Sequence, residues 1–164
     1  MPAGIKMIND ERFDTLLHFL NDLDGIQQSA QYHPEGDALF HSLQVYQCAK
    51  HDTQDPELLA AALLHDIGKA ADCNCHALWG AEALDTYCTA KVCWLVAHHL
   101  DLLKASKKQQ GRLQSHPWFK DLSTLRRWDL AGRDPDAYVM SVDDALNELF
   151  QNPSFLLSNA AISL

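Results

Sequence analysis

The sequence predicts a single all-α helical bundle. Three observations carry that expectation. Apolar residues recur at helical spacing along most of the 164 residues, capping and stop residues bracket those segments, and no long stretch alternates apolar with polar in the period of a strand. A chain of this length can remove roughly two-thirds of its unfolded surface from water around one core. At 47% hydrophobic and 21% charged, with only 7 Gly and 6 Pro, the composition excludes collagen-like, low-complexity and wholly disordered classes.

Each element has its own signal. Asp10 caps a first helix with Phe13, Leu16, Leu17, Leu20 and Leu23 on one face, ending at Gly25. A polar connector, Gln27 to Gly36, leads to a second helix from about Asp37 to Lys50, with Leu39, Leu43, Val45 and Tyr46 inward and His41 near its start. Asp55-Pro56-Glu57 reads as N-cap, first-turn proline and first-turn acid. It opens the apolar run LLAAALLHDIG, which Gly68 is expected to stop; lacking a polar stripe, this helix should be buried. A fourth helix is expected from His76 to Tyr87, and a fifth from Ala90 to Leu103, carrying Val92, Trp94, Leu95 and Val96. Lys104 to Arg112, KASKKQQGR, reads as an exposed loop, and helix resumes near Asp121. Ser141 with Asp144 resembles a capping box opening a last helix through Phe150, before Pro153. The tail FLLSNAAISL is apolar enough to pack back on the domain or on a partner, which leaves a homo-oligomer open. There is no internal repeat and no domain boundary, so residues 1–164 are expected to form one domain.

Charge and targeting narrow the partners. Thirteen Lys plus Arg against 22 Asp plus Glu leave −9, a poor match to double-stranded nucleic acid or an anionic bilayer and a better one to a small or locally steered ligand. The N-terminus MPAGIKMINDER lacks the apolar run of a secretory signal, and no stretch reaches the roughly 18 uncharged apolar residues of a membrane span, so a cytoplasmic protein is expected. Five cysteines, an odd number in a domain of this size, argue against structural disulfides. Nine histidines are a surplus that points to metal or proton chemistry.

The candidate centre is built on His65-Asp66. A buried acid beside a buried imidazole costs several kcal/mol unless something pairs with both; a divalent metal does. His41 lies 24 residues upstream and Asp129 63 residues downstream, each on the inward side of its helix. Two imidazoles and two carboxylates suit Fe, Mn, Zn, Co or Ni and do not suit Ca, which prefers oxygen shells. Cys73-Asn74-Cys75-His76 admits a thiolate zinc reading, but that needs a second cysteine pair that the neighbourhood lacks. Asp37 reads as a helix N-cap in preference to an orienter of His41. His33 and Glu35 line a pocket mouth or belong to a plain turn, and His18, His51 and His116 read as surface or satisfied residues.

Through His41, His65-Asp66 within LLHDIGK, and Asp129, the sequence resembles the HD superfamily of metal-dependent phosphohydrolases, over about residues 33 to 134. The stretch Tyr32-His33-Pro34-Glu35-Gly36-Asp37 before the first histidine is similar to stand-alone relatives of the HD region of bacterial tRNA nucleotidyltransferases. The nucleotidyltransferase part is expected to be absent, since only about 32 residues precede this stretch. Residues 1–32 would then be an N-terminal helix and connector, and 135–164 a C-terminal helix and tail. The resemblance implies an all-α fold, one or two divalent metal ions, and hydrolysis of a small phosphate mono- or diester, commonly of a nucleotide.

In relatives with two metals, histidines are added between the HD pair and the last aspartate, and His76 and His98-His99 match those positions. Asp66 would bridge, His41, His65 and Asp129 would complete one site, and His76 with His98 the other. His99 would be a further ligand or face the phosphate. Two ions a few Å apart clamp the attacking and leaving oxygens and activate water at neutral pH. Lys69 resembles the lysine of the family's HDxxK pattern, expected to contact phosphate or protonate the leaving group, with a helix-dipole role as the alternative. Arg133 follows Asp129 by four residues and is a candidate substrate contact, although Gly132 and Pro135 end the helix. The cations Lys104, Lys107, Lys108 and Arg112 form a solvated loop or an anion-attracting lid. Two rival readings are an HD-fold mixed-valent diiron oxygenase and a non-catalytic nucleotide sensor.

Overall fold

The structure, a computed structural model, describes residues 10–158. It is all α, and the described residues hold nine helices and no strand. Helix α1 (Glu11–Asn21) starts at Asp10, whose carboxylate accepts from Arg12 N at 2.9 Å. Turns carry the chain from α1 to Gly25, which has φ of 85°. Helix α2 (Ala38–Asp52) is capped by Asp37, which accepts from Phe40 N at 2.9 Å and from Gly25 N at 2.6 Å. That settles Asp37 as a cap. Helix α3 (Pro56–Leu64) opens at Asp55, which accepts from Glu57 N at 2.9 Å.

Helix α3 stops at Leu64, four residues before Gly68, which lies inside a 3-10 turn (Ile67–Ala70). The stop has a local cause. In a continuing helix the Ala62 carbonyl would accept from Asp66 N; here the His65 Nδ1–H donates to it at 2.9 Å. Gly68 serves a different need. A Cβ there would lie 1.9 Å from the His76 carbonyl oxygen, so glycine lets the 3-10 turn press against α4 (His76–Leu84).

The expected fifth helix divides into α5 (Ala90–His98) and α6 (Asp101–Lys104) for the same reason. His99 Nδ1–H donates to the Val96 carbonyl at 2.7 Å, taking the acceptor that Leu100 N would use. The segment expected to be a loop is largely helix α7 (Lys107–Gln114). Ser106 and Gln109 form a reciprocal capping box, and this local signal outweighs the Gly and the charge run. Helix α8 (Phe119–Ala131) and helix α9 (Val142–Leu149), the latter capped by Ser141 accepting from Asp144 N at 3.1 Å, follow, then a 3-10 turn (Pro153–Phe155).

Helix α3 is the axis of the bundle. On one side Leu63 and Leu64 pack into a core with Phe13, Leu16, Leu20 and Leu146; on the other Ala61 and Ala62 meet Val45, Leu95, Leu125 and Trp128. Its alanines keep α2 and α8 close, and truncating a buried leucine such as Leu63 to alanine would cost about 2–5 kcal/mol. The tail packs back where it is described. Phe155 and Leu156 are buried, and Leu157 N donates to Tyr87 O at 2.9 Å; residues 159–164 lie outside the described residues. No described helix is long and apolar enough to cross a membrane.

Candidate metal centre

Six elements converge at the end of α3. His41 comes from the first turn of α2, His65 ends α3, Asp66 opens the 3-10 turn, His76 opens α4, His99 caps α5, and Asp129 lies in the last turn of α8. All six are buried.

Asp66 divides its oxygens between two sets. Its Oδ2 lies 3.3 Å from His65 Nε2 and 3.7 Å from His41 Nε2. Asp129 Oδ1 closes that set, 2.9 Å from His41 Nε2 and 3.8 Å from His65 Nε2. The other oxygen of Asp66, Oδ1, lies 3.1 Å from His76 Nε2 and 3.3 Å from His99 Nε2. Three to four donor atoms thus gather on each side of one carboxylate, as a bridging ligand requires.

The tautomers fit a cation. The four imidazoles donate their Nδ1–H to the carbonyls of Gly132, Ala62, Cys73 and Val96, at 2.8, 2.9, 3.0 and 2.7 Å respectively. Each Nε2 is therefore the nitrogen left to take a proton or, in the neutral imidazole, to offer a lone pair, the form in which histidine binds a metal. Lone pairs cannot hydrogen-bond one another or a carboxylate, yet His76 Nε2 faces His99 Nε2 at 3.2 Å, and buried His65 Nε2 has no hydrogen-bond partner. Only protons or metal ions can stand between these atoms. The mixed imidazole and carboxylate set suits divalent transition metals.

Charge coupling in the cluster is strong. Burial pushes the His65 imidazole down, but the Asp66 and Asp129 carboxylates outweigh it and raise its pKa to about 10. Asp66 and Asp129 move the other way. Burial opposes their ionisation, yet His65 and Lys69 hold Asp66, and His41 and His65 hold Asp129, well below the usual carboxylate range. Burial lowers His99.

Cations ring the carboxylates at the partly open side. Lys69 Nζ donates to Asp66 Oδ2 at 2.9 Å and also to Gln28 Oε1. Arg126 reaches Asp129 Oδ2 at 3.2 Å, and Arg133 reaches Asp129 Oδ1 at 3.5 Å and the Tyr32 carbonyl at 2.8 Å. Arg133 gets there although α8 has ended at Ala131. Gly132 makes the approach: a Cβ there would lie 2.9 Å from Val45 N, so glycine lets the end of α8 close on α2.

Two placements depart from the sequence reading. His98 is not brought to the cluster: its side chain is 36% exposed, its Nδ1 pairs with Asp101 Oδ2 at 2.5 Å, and its ring lies against Trp94. His99 takes the inward position. The signal was present, because His99 continues the buried stripe Val92, Leu95, Val96, whereas His98 follows Trp94 by four residues on the outer side. His33 stands one step away from the cluster and reaches it through Glu35. Glu35 Oε1 lies 2.8 Å from the Nδ1 of both His33 and His41, its side chain is fully buried, and its Oε2 has no hydrogen-bond partner. Sequence reasoning missed Gln28 and Arg126. Arg126, three residues before Asp129 on one helix, was findable; Gln28, in an irregular connector, carried no periodic signal.

Comparison with known proteins identifies the family. A family model described as HD domain matches residues 39–146. A multifunctional CCA protein of Halorhodospira halophila is 32% identical over 116 residues, 70% of this chain and 24% of the relative. That of Nitrosococcus oceani is 45% identical over 47 residues, 29% of this chain and 12% of the relative. That of Hahella chejuensis is 46% identical over 50 residues, 30% and 12%. The chain thus spans about a quarter or less of the curated relatives it matches. The family match covers more than half of the chain and takes in every residue of the two-sided cluster, and the chain belongs to the HD-domain family of metal-dependent phosphohydrolases.

Proposed function

We propose that this protein hydrolyses a small phosphate mono- or diester, a nucleotide or a related compound, using two divalent metal ions. The observation that carries the reading is Asp66, with Oδ2 toward His41 and His65 and Oδ1 toward His76 and His99. In this reading His41, His65, Asp66 and Asp129 hold one ion, and Asp66, His76 and His99 the other, each Fe, Mn, Zn, Co or Ni. Such ions neutralise phosphate oxygens and acidify water to a nucleophile at neutral pH.

The chain's own groups supply the rest. Lys69, at the open side and hydrogen-bonded to Asp66, donates to a phosphate oxygen or gives its proton to the leaving oxygen. Arg133 and Arg126, both partly exposed, neutralise the phosphate from the Asp129 side. The buried walls keep bulk water away and strengthen each of these charges. The nucleotide preference draws on the likeness to multifunctional CCA proteins. Five free cysteines suit a reducing cytoplasm as its location.

The test is Lys69→Met, with turnover of a generic phosphodiester and metal content measured together. The reading expects wild-type activity to vanish with a chelator and return with Mn or Fe, and the variant to keep its metal while kcat falls roughly 10²-fold or more. A stable variant with full activity would remove Lys69 from the reaction. Wild type that takes up metal, hydrolyses no phosphoester and consumes oxygen would favour the oxygenase.

A further inference from the structure

A second concave site lies on the other side of α5. It encloses about 380 Å³ between α5, α6 and α7, within the roughly 300–1,000 Å³ of small-molecule pockets. Its lining combines Trp94, His98 and His116 with Lys104, Gln109 and Arg112, and its one carboxylate, Asp101, is engaged by His98 Nδ1. It shares no residue with the metal cluster: His98 points away from that cluster, and Lys104 and Arg112 belong to the basic segment Lys104 to Arg112.

The aromatic part is stacked and orientated. The His116 and Trp94 rings lie 4.0 Å apart and 12° from parallel, and His98 lies against Trp94 at 4.5 Å. His116 Nδ1 accepts from Trp118 N at 3.1 Å, so its Nε2 carries the proton and is a donor. His98 is locked by Asp101.

The charged part is exceptional for this chain. The protein carries −9 overall, yet Lys104 to Arg112 holds four cations and no acid. Among the described residues none of the four is within ion-pair distance of a carboxylate, whereas Lys91, on the same helix as Trp94, is paired with Asp121 at 2.7 Å. Unpaired cations beside a histidine donor create a local anion site on an acidic protein. Flat rings and unpaired cations in one groove select a ligand that is both flat and anionic.

We propose that this groove binds a phosphorylated heteroaromatic molecule of the nucleoside monophosphate class, its ring against the Trp94, His98 and His116 cluster and its phosphate on Lys104, Arg112 and the His116 Nε2–H. Because Leu95 and Val96 of α5 are buried and its end carries both His98 and His99, the ligand bears on the helix that positions His99. The groove is a binding site in its own right, and its occupancy does not depend on phosphoester hydrolysis.

Isothermal titration of the full-length protein with AMP, adenosine and ribose phosphate, at low and high salt, tests it. The expectation is that AMP binds at least ~10-fold more tightly than either fragment and weakens with salt, since each half of the ligand contributes an independent contact. Arg112→Glu, at an exposed position, should weaken AMP at least ~10-fold without changing metal content, while Lys120→Glu, a cation outside the groove, should leave binding unchanged. Trp94→Leu, with folding checked by circular dichroism, should remove the advantage of AMP over ribose phosphate. AMP binding that is unaffected by Arg112→Glu, or equal affinity for AMP and ribose phosphate, or no measurable AMP binding, would overturn the proposal. A protein that binds AMP in this way but hydrolyses nothing would contradict the proposed reaction and leave the groove standing.

Discussion

At the residue scale, the hydrogen bond on one imidazole nitrogen decides what the other can do. His41, His65, His76 and His99 each give Nδ1–H to a backbone carbonyl and turn Nε2 to Asp66 or Asp129. His98 gives its Nδ1 to Asp101 outside the cluster. His99→Ala should therefore lower metal content from about two ions per chain to about one, and His98→Ala should leave it unchanged; elemental analysis of the two variants side by side reads the difference. Equal losses in both would contradict the geometry.

The same residues set a pH dependence. With the metal chelated, His65 has a pKa raised to about 10, so its stabilising contribution is complete below the ordinary imidazole value of about 6.5 and disappears as pH rises through 10. Asp66 and Asp129 are lowered, so theirs is present above the ordinary carboxylate value of about 4 and disappears as pH falls toward their folded values. Chelated protein should thus melt at progressively lower temperature from about pH 6.5 to 10. A bound ion requires neutral His65, so metal binding at pH 8 should release one proton, seen by calorimetry in buffers of different ionisation enthalpy. An imidazole of ordinary pKa would release almost none there.

At the scale of elements, helix ends and ligands are made by the same bonds. His65 ends α3 by taking the Ala62 carbonyl, and His99 ends α5 by taking that of Val96. This explains what the sequence left illegible. Apolar periodicity runs through both breaks, LLAAALLHDIG and VCWLVAHHLDLL, and nothing in it marks where a side chain will compete with the backbone. Capping residues were legible wherever the cap was local: Asp10, Asp37, Asp55 and Ser141 all cap as read. The capping box of α7 was equally local and was hidden by the basic charge run. Gly68 was read as a stop, and its contact with α4 is a tertiary fact without a local signature. Gly68→Ala should push the 3-10 turn off α4, costing more than about 2 kcal/mol and metal retention together. Thermal melts with elemental analysis measure both; a variant as stable and as metal-rich as wild type would show that the turn yields freely.

At the scale of the molecule, one all-α domain places residues from positions 41 to 129 around a single carboxylate. The long-range pairing of His41, His65-Asp66 and Asp129 was legible because buried acids and imidazoles need a common partner. The choice between His98 and His99, and the place of Glu35, required the fold. If Asp66 is shared by two ions, removing it must empty both positions, which the metal content of Asp66→Ala beside wild type, after saturation with Mn or Fe, reads at once. Wild type should hold about two ions per chain, and a variant that still shows helical circular dichroism should lose both, to well below one. A wild-type content that stays near one, or a variant that keeps the wild-type content, would contradict it.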